Sequence, residues 1–70
     1  MNIAYTDHAE EQIKLRKIAK QHIEETLGYP DIIKNIHHKY YAIKKLNGHT
    51  LKVVYVKQKY IKIITCYFVR

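Results

Sequence analysis

The stretch YYAIKKLNGHTLKVVY, residues 40–55, decides how this chain folds. Two β-prone runs flank Asn47-Gly48, and Asn-Gly between such runs is the strongest short-range signal for a hairpin, one whose turn residues both take positive φ. A two-residue turn sets Leu46 against His49, Ala42 against Val53 and Tyr40 against Tyr55. A second reversal near Gln58-Lys59 brings back the run from Tyr60 to Phe68, with Val53 predicted opposite Ile64 and Leu51 opposite Cys66. An antiparallel meander over about residues 38–68 follows.

Successive residues of a strand point to opposite faces, so these registers sort the side chains. One face gathers Ala42, Leu51, Val53, Tyr55, Ile64 and Cys66, with Lys62 toward its edge, and reads as the core face. The other carries Lys39, Tyr41, Lys45, Lys52, Thr65 and Tyr67, with Ile61 and Ile63. His37 and His38, read as strand residues, face opposite ways.

Upstream, Gly28 suits the left-handed position just past a helix, and Pro30 cannot continue one. The residues before this break read as helical, with Thr6 or Asp7 as the cap. Ile13, Ile18 and Ile23 are spaced by five, which would turn Ile18 away from the core on one unbroken helix. A turn near Leu15-Arg16-Lys17 restores the pattern and gives helices over about 7–15 and 18–27. The expected architecture is α+β: a single domain over 1–70, with two N-terminal helices packed on one face of a three- to four-stranded antiparallel sheet.

Seventy residues leave room for one small core and no second, cofactor-binding half. The lone Cys66 excludes an internal disulfide and a thiolate zinc site, and on the core face it reads as a small hydrophobe. The histidines lack ligand spacing: His22 and Glu25 share a helix face without further partners. No metal and no cofactor are expected. No apolar run reaches membrane-spanning length and the N-terminus lacks the order of a secretory signal, so the expectation is a cytoplasmic protein with no membrane partner.

Charge is divided unevenly. Residues 1–31 hold all six acids and four bases, whereas residues 32–70 hold no acid and nine bases. A positive field of that kind attracts phosphate polymers or an acidic protein. Lysine neutralises phosphate and an exposed tyrosine ring stacks on a base, so Lys39, Tyr41, Lys45, Lys52 and Tyr67 on one sheet face point to single-stranded nucleic acid. A helix's first turn disfavours an imidazolium, which leaves His8 available as a base. Metal-independent cleavage of RNA needs such a base, a proton donor for the leaving 5′ oxygen, and cations for the extra charge on phosphorus.

The string Tyr5-Thr6-x-His8-Ala9-x-x-Gln12-Ile13-x-x-Arg16-x-Ile18, with Gly28-Tyr29-Pro30-Asp31-Ile32, Leu51-x-Val53-Val54 and Ile63-Ile64-Thr65-Cys66-Tyr67, resembles a family of small proteins of unknown function. That family opens on HAxxRMxxRxI and is grouped with the RelE and ParE toxin-like fold and the colicin-type transfer-RNA nucleases. The resemblance implies a RelE-like arrangement of two helices on a twisted antiparallel sheet. It also implies a ribonuclease or toxin role beside an antitoxin, with His8, Arg16 and Thr65 as the matching functional positions. Gln12 replaces the family's first arginine and removes one cation that could hold phosphate.

The leading expectation is therefore a toxin-like, metal-independent endoribonuclease. It would bind RNA on the basic, Tyr-rich face, be masked by an acidic antitoxin, and have an edge strand free to pair in a homodimer. The alternatives are a nucleic-acid-binding module without catalysis and a toxin-like element that binds protein.

Overall fold

Thr6 starts the first helix. Its backbone is extended (φ −69°, ψ 162°) and its Oγ1 accepts the Ala9 N–H at 3.0 Å, satisfying one of the donors a helix start leaves open. The computed structural model describes residues 2–69. Helix α1 spans Asp7–Arg16 and ends at Lys17, which takes the left-handed conformation (φ 55°, ψ 47°) and donates its N–H to the Ile13 carbonyl. The break expected near residues 15–17 is thus present, capped by a lysine without help from glycine. It turns Ile18 inward, where 5% of its surface stays exposed.

Helix α2 spans Lys20–Gly28, and Ile23, Thr26 and Leu27 are its buried residues. Gly28 belongs to the helix, and Tyr29 caps it with φ −137°. The left-handed cap expected at Gly28 is therefore found at the end of α1. Lys20 clasps the two helices, with Nζ 3.1 Å from the Glu10 carboxylate and 4.5 Å from the centre of the Tyr5 ring.

Both helices lie against one sheet. The sheet has five strands and is mixed, where three or four antiparallel strands were expected. Strands β1 (Ile3–Tyr5), β2 (Ile32–Ile36), β3 (Lys39–Leu46), β4 (His49–Lys57) and β5 (Ile61–Val69) stand in the order β1-β5-β4-β3-β2. Strand β1 runs parallel to β5, pairing Ile3 with Ile61 and Tyr5 with Ile63; the other neighbours are antiparallel. Three residues are too few to show alternation, and the five of β2 are all exposed, so neither strand carried a periodic signal. In chain order one short strand comes first, then two consecutive helices, then four strands.

The first hairpin register is as expected, from Leu46–His49 through Tyr40–Tyr55. Its turn is different: Gly48 has positive φ (74°) and Asn47 does not, which is the type II sense. Two positive-φ residues in succession, the type I′ pattern, occur instead at His37 (49°) and His38 (68°). These histidines form the β2–β3 turn and are not strand residues facing opposite ways.

The second hairpin corrects the face assignments. Val53 pairs with Cys66 and Leu51 with Phe68, and a β-bulge follows: Val54 opposes Thr65 while Tyr55 opposes Ile63. The extra residue, Ile64, shifts the rest of the strand by one. Ile63 is therefore fully buried in the core, Ile61 packs against it, and Lys62 falls on the side of Val56, away from the helices. The sequence reading had these reversed, with Ile64 inside and Ile61 and Ile63 outside. The core beneath the helices holds Ala9, Ile13, Ile18, Ile23 and Leu27 against Ala42, Leu51, Val53, Tyr55, Ile63 and Cys66.

Candidate nucleic-acid interface

The sheet face opposite the helices is built by strand alternation. Lys39, Tyr41, Ile43 and Lys45 of β3 face the same way as Thr50, Lys52, Val54 and Val56 of β4 and Thr65 and Tyr67 of β5. All five side chains expected to contact nucleic acid (Lys39, Tyr41, Lys45, Lys52 and Tyr67) thus share one face. From Lys39 to Lys45 the strand covers roughly 20 Å, at about 3.4 Å per residue.

At the centre of this face Lys52 lies between two tyrosines. Its Nζ is 5.2 Å from the centre of the Tyr41 ring and 5.9 Å from that of Tyr67. Cation–π attraction holds the ammonium near the rings while leaving it wet, because no carboxylate competes for it. Among the described residues the one ion pair, Lys20–Glu10, is on the helix side. Val54 is 6% exposed beneath this layer, so aliphatic groups on the open face are partly covered by their own neighbours.

Two further lysines belong to the face and were missed. Lys62 is brought there by the bulge, beside Val56 and in line with Lys39. Lys34, on β2, pairs with Tyr41. A bulge has no sequence marker here, and β2 itself was not recognised.

The catalytic candidates are spread out. His8 is exposed in the first turn of α1, and the start of that helix is fastened next to Thr65: the Thr6 N–H donates to the Ile63 carbonyl at 3.1 Å and its Oγ1 to the Ile64 carbonyl at 3.0 Å. Thr65 itself is half-buried on the open face. Arg16 is at the far end of α1, eight residues from His8, about 12 Å along the axis at 1.5 Å per residue. Its Nε donates to Gln12 Oε1 at 2.8 Å, one turn back along the helix.

Arg16 opens into a cleft of about 880 Å³ on the helix side, shared with His22, Glu25, His49 and Phe68. Cys66 is fully buried, and burial pushes its thiol up to about 11 against a smaller opposing effect of Arg16, so it is no nucleophile. No group of three or more metal-ligating side chains occurs among the described residues. No described helix is long and apolar enough to cross a membrane.

No curated protein and no solved structure matches the chain. A family model described as a domain of unknown function, DUF4258, matches residues 5–68, which runs from the last residue of β1 through both helices to all but the last residue of β5, and the chain belongs to that family.

Proposed function

We propose that this protein is a toxin-like RNA-binding protein that holds single-stranded RNA on the uncovered face of its sheet. The observation that carries the reading is Lys52 between Tyr41 and Tyr67 on a face lined with further lysines and free of acids. Phosphates would meet Lys39, Lys45, Lys52 and Lys62, while Tyr41 and Tyr67 offer ring faces to bases. Two consecutive helices on one side of the sheet support the RelE-like grouping. An acidic antitoxin would compete for the same positive face.

Metal-independent endonucleolytic cleavage is the catalytic form of this proposal. In that form His8 would take the 2′-hydroxyl proton and Thr65 would orient the substrate, with the start of α1 fastened to β5 next to Thr65 but on the other side of the sheet from its side chain. Arg16 is too far along α1 to share that centre, so the geometry favours binding ahead of cleavage. The test is incubation with RNA in EDTA, beside His8→Ala and Lys52→Ala. Cleavage lost in His8→Ala supports the nuclease, and RNA retained intact but bound in a Lys52-dependent way supports binding alone. No binding at low salt overturns both.

A further inference from the structure

The 880 Å³ cleft lies across the sheet from the RNA face, at the end where β3 turns into β4. Its walls come from three places. The corner between the helices gives Arg16 and Lys17, α2 gives His22 and Glu25, and the sheet gives His49 and Phe68. The volume is that of a small-molecule site.

The chemistry is divided along the cleft. Arg16 is oriented by its Nε bond to Gln12, which leaves the outer N–H groups of the guanidinium for a ligand. Lys17 is fixed at its backbone by the left-handed cap, and His22 adds a ring N–H. Those three donors suit the fork and charge of a phosphate. On the sheet side the His49 and Phe68 rings are 5.1 Å apart at an angle of 40°, an aromatic surface next to the cations. Glu25 is the one acid in the wall; a carboxylate repels phosphate but accepts hydrogen bonds from sugar hydroxyls.

We propose that this cleft binds a nucleoside monophosphate, with its phosphate on Arg16, Lys17 and His22, its ribose at Glu25, and its base on the His49–Phe68 surface. The site opens on the helix side of the sheet, shares only Lys45 with the RNA face at its rim, and stands whether or not RNA binds there. The nucleotide can be free or can be the 5′-phosphorylated end of an RNA.

The test is titration of adenosine 5′-monophosphate into the ¹⁵N-labelled protein, with adenosine and inorganic phosphate in parallel. The nucleotide should shift the Ala19, Gly48 and His49 amides saturably, and more tightly than either fragment. Arg16 is exposed, so Arg16→Ala should keep the native spectrum while weakening binding by about tenfold or more, as loss of a charged hydrogen-bond donor does. Absence of saturable shifts, unchanged affinity in Arg16→Ala, or equal affinity for phosphate alone overturns the proposal. A 5′-phosphorylated tetranucleotide that shifts the same amides as tightly as the mononucleotide supports the RNA-end form; one that does not supports the free-nucleotide form.

Discussion

The hydroxyl of Thr6 accepts the Ala9 N–H and donates to the carbonyl of Ile64, both at 3.0 Å, so one side chain caps α1 and ties it to the bulged residue of β5. Thr6→Ala removes both bonds and should lower stability by about 1–2 kcal/mol, read from the urea midpoint. Thr6→Ser should retain most of it. An unchanged midpoint in Thr6→Ala would mean that neither bond contributes.

The bulge makes neighbouring isoleucines unequal. Ile63 is fully buried and Ile64 only half-buried. Ile63→Ala should cost about 2–5 kcal/mol by leaving a core cavity, and Ile64→Ala clearly less, about 1 kcal/mol. The opposite order in chemical denaturation would restore the unbulged register.

Positive φ at both His37 and His38 is a conformation that Asn-Gly adopts with less strain. Replacing the pair by Asn-Gly should raise stability by about 1 kcal/mol, visible as a higher Tm. A lower Tm would indicate that the imidazoles make favourable contacts that outweigh the strain.

Lys52→Ala should weaken binding of a single-stranded RNA oligonucleotide and flatten its salt dependence by about 0.7 in the log–log slope, the release expected from one phosphate contact. Tyr41→Ala should weaken it by about 1–3 kcal/mol with the slope preserved, since stacking is not screened by salt. Equal slopes in the wild type and Lys52→Ala would remove Lys52 from the phosphate path.

Cys66 stays protonated in the folded chain up to about pH 11, whereas an exposed thiol in the unfolded chain loses its proton near its ordinary value of 9.0. The contribution of the buried neutral thiol is complete below pH 9, declines as pH rises, and is gone above about 11. Burial raises Tyr5 and Tyr55 in the same sense. Urea titrations across this window should show a shallower fall in Cys66→Ala than in the wild type; parallel curves would count against the assignment.

The β3–β4 hairpin was legible because Asn47-Gly48 separates two long β-prone runs, and the helix break was legible because Ile18 falls out of phase. The face bearing Lys39, Tyr41, Lys45, Lys52 and Tyr67 followed from alternation alone. Beyond Thr65 toward the N-terminal end of β5, alternation misled, since Ile61 to Ile64 is apolar on both phases except at Lys62. Strand β2 was hidden by two histidines doing the work of a glycine-bearing turn. The cleft was also out of reach, because Arg16, His22 and His49 are brought together by the meeting of a helix corner with a hairpin, a relation that no local spacing encodes.

Strand β1 is held by β5, from Ile3–Ile61 to Tyr5–Ile63, at the greatest sequence separation of the described strand pairs. During synthesis the segment around Ile3 emerges before β5 and has no strand to join until the run from Ile61 has left the ribosome. The helices and the β2–β4 meander can form beforehand, because their contacts are closer in sequence. Attachment of β1, and with it the Thr6 link to Ile64, is therefore a late step, and until it occurs the outer edge of β5 remains an open template for another chain.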